Sequence, residues 1–125
     1  MAADIITTSE SPGSQTSTFT RYVGHGRDGE WRLTGIGLTP SVALAEDGSN
    51  KWVVAITDGT DTVATSFDTS TSGNALVLGV GHQMALASNH SLEFGPTDSV
   101  KFVCTLTGSA TLHAQLNCHW QKVRS

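Results

Sequence analysis

From Ser99 to Val123 nearly every second side chain is apolar or small: Val100, Phe102, Cys104 and Leu106, then Ala110, Leu112, Ala114, Leu116, Cys118 and Trp120. Successive side chains of a strand leave opposite sides of the backbone, so this period marks strands with one buried face. The other parity carries Lys101, Thr105, Thr111, His113, Gln115, Asn117, His119 and Gln121, with Val103 as the exception. That face suits water or a polar partner. A loop at Thr107-Gly108-Ser109 fits a hairpin in which Leu106 faces Ala110 and Cys104 faces Leu112. In that register Cys118 lies opposite Asp98, roughly 20 Å from Cys104 at about 3.3 Å per residue. A disulfide needs Cα atoms within about 7 Å, so the two cysteines are expected to be small core hydrophobes, not bonded to each other within this hairpin.

A chain of 125 residues is long enough for one domain with its own core. Only 14% of residues are charged, while Gly, Ser and Thr are abundant, a balance that favours strands and turns. Sustained 3.6-residue periodicity is absent. The net charge is −4 and the seven basic residues are scattered, so no nucleic-acid partner is expected. The first residues lack a basic segment followed by an apolar one, and no apolar run approaches about 18 residues; neither an export signal nor a membrane partner is expected.

Residues 1–17 are rich in Ser and Thr, with Pro12-Gly13 in the middle and Ile5-Ile6 as an apolar pair. This composition predicts an extended N-terminal arm, able to add to the sheet edge of a partner, ahead of a β-sandwich domain over 18–125. Phe19 to Val23 reads as a strand. The next six residues, Gly24-His25-Gly26-Arg27-Asp28-Gly29, match the dinucleotide fingerprint G-x-G-x-x-G, but Glu30-Trp31-Arg32-Leu33 continues in strand alternation where that fingerprint requires a helix. A flexible glycine loop is the better reading, and no cofactor is expected. The apolar parity then shifts from Trp31 and Leu33 to Ile36 and Leu38, which predicts a β-bulge at Gly35.

A second hairpin is predicted around the turn Asp58-Gly59-Thr60-Asp61. It pairs Thr57 with Thr62, Ile56 with Val63, Val54 with Thr65 and Trp52 with Phe67. Ala75 to Val80 forms an apolar patch; Met84, Leu86, Leu92 and Phe94 point inward; Gly95-Pro96-Thr97-Asp98 turns the chain. About eight short antiparallel strands result, the number that two packed sheets need. An all-β jelly-roll or Greek-key sandwich is the predicted architecture.

The five histidines, His25, His82, His90, His113 and His119, lack the tight His-x-His pair of a cupin-type metal centre and are read as surface or interface groups; no metal is expected. The acidic turns at Glu46-Asp47 and at Asp58 to Asp61 suggest calcium by composition. They do not follow EF-hand spacing, and such residues also serve turns through their tolerance of left-handed backbone. Asn89-His90-Ser91 matches a glycosylation acceptor but carries no weight without an export signal. The three tryptophans fall on the apolar parity, which favours core over sugar platform. Nothing arranges a nucleophile with its base, and no enzymatic activity is expected.

The stretch from Trp31 to Val123 resembles a family of small jelly-roll virion proteins of tailed bacteriophages. The resemblance is carried by Leu38-Thr39-Pro40-Ser41, by Ala43-Leu44-Ala45-Glu46-Asp47-Gly48-Ser49-Asn50-Lys51-Trp52, by Leu92-Glu93-Phe94-Gly95-Pro96-Thr97-Asp98-Ser99-Val100, and by Leu106-Thr107-Gly108. It implies a capsid decoration or cement protein, typically a homotrimer, whose partners are itself and the major capsid protein. The corresponding place is the capsid surface of a virion assembled in host cytoplasm. On that reading Ala3, Asp4, Ile5, Ile6, Thr7 and Thr8 form a capsid-binding arm, and His113, Gln115, Asn117 and His119 form a subunit interface. A jelly roll of the tail, neck or head fibre, or a carbohydrate-binding adhesive module, are the alternatives.

Overall fold

The structure, a computed structural model, describes residues 4–88 and 92–124. Among these the regular elements are β1 (Ile5–Glu10), β2 (Phe19–Val23), β3 (Glu30–Pro40), β4 (Lys51–Thr57), β5 (Thr62–Asp68), β6 (His82–Gln83), β7 (Glu93–Phe94), β8 (Val100–Thr107) and β9 (Ala114–Arg124). Their pairing is nested and antiparallel throughout. β1 pairs β9, β2 pairs β8, β3 pairs both β6 and β7, and β4 pairs β5. The first half of the chain therefore lies against the second like one long hairpin. Rolling that ribbon brings β9 onto β3 and β8 onto β4, giving one sheet ordered β1-β9-β3-β6, with β7 also on β3, and another ordered β2-β8-β4-β5. This is jelly-roll topology. β6 and β7 meet opposite ends of β3, so together they fill a single strand position and the eight expected positions are all present.

The core lies between the sheets. Leu33, Ile36 and Leu38 from β3 and Leu116, Cys118 and Trp120 from β9 face Trp52, Val54 and Ile56 from β4 and Val100, Phe102 and Cys104 from β8, all buried. Each large side chain removed from water in this way contributes about 1.5–3 kcal/mol before entropy is counted. Phe19 packs edge-on against Trp52, and Phe94 edge-on against Trp120. All three tryptophans are in the core, as their parity predicts.

The closing hairpin is corrected. β8 and β9 are not partners but lie in opposite sheets: Cys104 stands beside Phe19 and Val54, Cys118 beside Thr8 and Ile36. Alternation reports which side of a strand meets the core, and two strands facing the same core from opposite sides carry the same pattern as a hairpin. Both cysteines are buried and free, as expected, although the register used to separate them does not exist.

The arm is corrected as well. Residues 5–10 form the edge strand β1, in register with β9 of the same chain from Ile5 opposite Gln121 to Glu10 opposite Leu116. Ile6 packs against the core and Ile5 is exposed. The Ser/Thr-rich composition is that of an edge strand whose backbone partner is supplied by residues more than a hundred positions away.

The β4–β5 hairpin forms, with an altered register. Thr57 pairs Thr62 as predicted, then Ile56 pairs Ala64 and Val54 pairs Phe67, with irregularities on both sides of Ile56. The bulge turns consecutive Val63 and Ala64 inward, which alternation alone forbids. At Gly35 the predicted bulge is present between Leu33 and Gly35, where a Cβ would meet the His119 ring at 2.9 Å.

Candidate functional site

β9 is an inner strand, so its outward side chains have neighbours on both sides. Thr7 Oγ1 is hydrogen-bonded to His119 Nδ1 at 2.9 Å, and Ser9 donates to Asn117 Oδ1 at 3.0 Å. Asn117 Nδ2 donates to Thr39 Oγ1 at 3.4 Å, and Ser14 Oγ meets His113 Nδ1 at 3.3 Å. Gln115, opposite Thr39, is exposed. The two candidate sets of the sequence thus meet on one surface: Thr7 from the supposed arm is bonded to His119 from the supposed interface. Of the arm residues, Asp4 accepts from Lys122 N through its backbone carbonyl, Ile5 and Thr7 face outward, and Ile6 and Thr8 face inward; Ala3 lies outside the described residues. The resulting row of hydroxyl, amide and imidazole groups contains no carboxylate, Lys or Arg. Such polar groups are suited to docking a polar surface.

Concavities also lie among the described residues. A cleft of about 320 Å³ is lined by Asp58, Thr60, Asp61, Glu93, Phe94 and Asp98. The Asp58–Asp61 turn is legible in the sequence, whereas Glu93 and Asp98 come beside it only on folding. Their carboxylates have structural duties: Asp58 accepts from the backbone of Thr60 and Asp61, Asp98 accepts from Gly95 N at 2.9 Å, and Glu93 pairs with Arg32 at 3.3 Å. Among the described residues no three His, Cys, Asp or Glu side chains are arranged to hold a metal ion. In the other acidic turn, Asp47 is held below its usual carboxylate range by the Ser49 backbone N–H and the Asn50 amide, and Glu46 accepts from Gly73 N. The second groove, about 190 Å³, is bordered by Thr65, Ser66, Phe67, Asn74, His82 and Gln83, with the His82 ring 4.8 Å from that of Phe67.

His25 corrects the reading of the histidines as surface groups. It is 2% exposed, between Trp31 and Trp120. Arg27 N donates to its Nδ1 at 3.1 Å, which places the proton on Nε2; that group is 3.0 Å from Phe94 O and 2.9 Å from Gly95 O, and donates to them. The ring therefore pins the 24–29 glycine loop to the turn after β7. No periodic signal could have found it, since His25 lies outside any strand. His82 is half-buried and donates to Ala75 O, and His90 lies outside the described residues.

Compared with models of protein families, with curated proteins and with solved structures, the chain matches none.

Proposed function

We propose that this protein is a structural component of a bacteriophage virion, a capsid decoration or cement protein that binds the major capsid protein as a homotrimer. The observation that supports it is the joined β1–β9 surface. A row of hydroxyl, amide and imidazole groups from Thr7 to His113 stands on the buried core, with Ile5 exposed at its edge. A cement protein requires such a rigid docking face, repeated by symmetry so that modest contacts act together. On this reading the exposed side chains of Asp4 to Thr8 meet the shell, and the β9 row meets neighbouring subunits.

The test is sedimentation of the purified chain with empty capsids of a tailed bacteriophage. Saturable co-sedimentation supports the reading; a chain that stays in the supernatant overturns it and directs the search to tail, neck or head fibre. A carbohydrate-binding module is the second reading, favoured by the groove in which Asn74 and Gln83 border the paired rings of Phe67 and His82. Signal on a glycan array, lost in His82→Ala, supports that reading instead.

A further inference from the structure

The sequence holds three Asp-Gly steps, Asp28-Gly29, Asp47-Gly48 and Asp58-Gly59, each outside the strands with its aspartate exposed. Glycine has no Cβ to shield its own amide nitrogen, so an Asp-Gly step is where a carboxyl most readily cyclises onto the following backbone. The following residue is the same at all three, which leaves the fold to decide between them. Asp58 Oδ1 accepts from Thr60 N at 2.9 Å and from Asp61 N at 2.7 Å, and Gly59 N donates to Thr57 Oγ1 at 3.1 Å. There the electrophile and the nucleophile are both held. Asp47 accepts from Ser49 N at 2.8 Å and from the Asn50 amide at 3.2 Å, partners that keep its carboxyl ionised and hence a poor electrophile. Asp28 differs. Among the described residues its carboxylate accepts no hydrogen bond and Gly29 N donates none.

In the reaction, Gly29 N attacks Cγ of the protonated Asp28 carboxyl. The N–Cγ bond forms, the Cγ–OH bond breaks, and the hydroxyl leaves as water with the amide proton. Water then opens the resulting succinimide and returns a proton to the nitrogen. Addition at Cγ restores aspartate, whereas addition at the main-chain carbonyl carbon breaks its bond to nitrogen and leaves isoaspartate, with no net gain or loss of atoms. The main chain then runs through Cβ and Cγ, one carbon longer, and the former carbonyl becomes a free carboxylate. That carbonyl is the acceptor of the Trp31 indole N–H at 3.0 Å, and Trp31 is buried beside His25. The bond to Trp31 engages neither reacting group, but it carries a change in an exposed loop to the edge of the core.

We propose that Asp28-Gly29 is the site at which the native protein isomerises: the Asp28 carboxyl cyclises onto the Gly29 nitrogen and reopens to isoaspartate, ahead of Asp47-Gly48 and Asp58-Gly59. The experiment is prolonged incubation of the full-length protein at neutral pH, with and without urea. Peptide mapping follows, in which electron-transfer fragmentation distinguishes isoaspartate from aspartate at equal mass. The native protein is expected to carry at least about fivefold more isoaspartate at position 28 than at 47 or 58, because two or more hydrogen bonds must break first at those two sites. In urea the three positions are expected to agree within about twofold, since the hydrogen bonds that the fold imposes are gone. A smaller native preference overturns the proposal, because unengaged groups at Asp28 and Gly29 would then confer no advantage. A preference for position 28 that persists in urea overturns it as well, by assigning the difference to the neighbouring residues and not to the fold.

Discussion

The indole N–H of Trp120 donates to the hydroxyl of Thr8 at 2.8 Å. Trp120 is fully buried, so this bond ties the first strand to the last inside the sandwich and makes residues 5–10 a structural element. Thr8→Val keeps the shape and removes the acceptor. A buried indole N–H without a partner costs about 1–3 kcal/mol. The melting temperature is expected to fall by several degrees, and deletion of residues 4–10 is expected to abolish cooperative unfolding, as read by near-ultraviolet circular dichroism.

Ile5 lies on the same strand but points the other way, 68% exposed. Ile5→Asp is expected to leave the melting temperature within about 1 °C, since exposed changes away from special features alter stability little. Its co-sedimentation with empty capsids should drop at least tenfold if the outer face of β1 meets the shell. Unchanged co-sedimentation would remove β1 from the docking surface.

His25→Ala strands two carbonyls and one N–H around an emptied site between Trp31 and Trp120. The expected loss is about 2–4 kcal/mol, visible as a lower urea midpoint. His25→Gln, which retains a donor, should recover part of it. Equal losses in the two variants would show that packing, not hydrogen bonding, sets the contribution.

Asp68 accepts from the hydroxyl and backbone N–H of Ser70 and from Lys51 Nζ, and these partners hold its carboxyl down at about 2. The unfolded chain protonates this group more readily than the folded one, so its contribution is present above about pH 4 and is lost as pH falls toward 2. Urea midpoints measured from pH 5 to pH 2 should decline, and Asp68→Asn should flatten part of that decline.

Burial pushes both thiols, Cys104 and Cys118, up to about 12. The folded protein keeps them protonated while the unfolded chain ionises them near 9, so their contribution is complete below pH 9 and lost as pH rises toward 12. At pH 8 a thiol reagent should leave the native protein unmodified and should titrate two groups in urea. Rapid labelling without urea would show that the core opens easily.

Much of the fold was legible because period-two alternation records burial directly. Trp52, Val63, Phe102, Leu116 and Trp120 are buried where their parity puts them, the Gly35 bulge follows from a parity shift, and the Asp58–Asp61 turn from its residue types. Composition and pattern thus determined a two-layer β-sandwich and most of its inward faces. Partner choice belongs to the tertiary structure, since a strand's side chains say which side is wet and not which backbone lies beside it. Rolling the chain sent β8 and β9 to opposite sheets, drew residues 5–10 from a presumed arm onto β9, placed Glu93 and Asp98 beside Asp58, and set His25 between two tryptophans. Each of these joins residues far apart in the chain. The reason is that backbone hydrogen bonds are chemically alike at every position, and only the mutual burial of both sheets against one core decides which of them form.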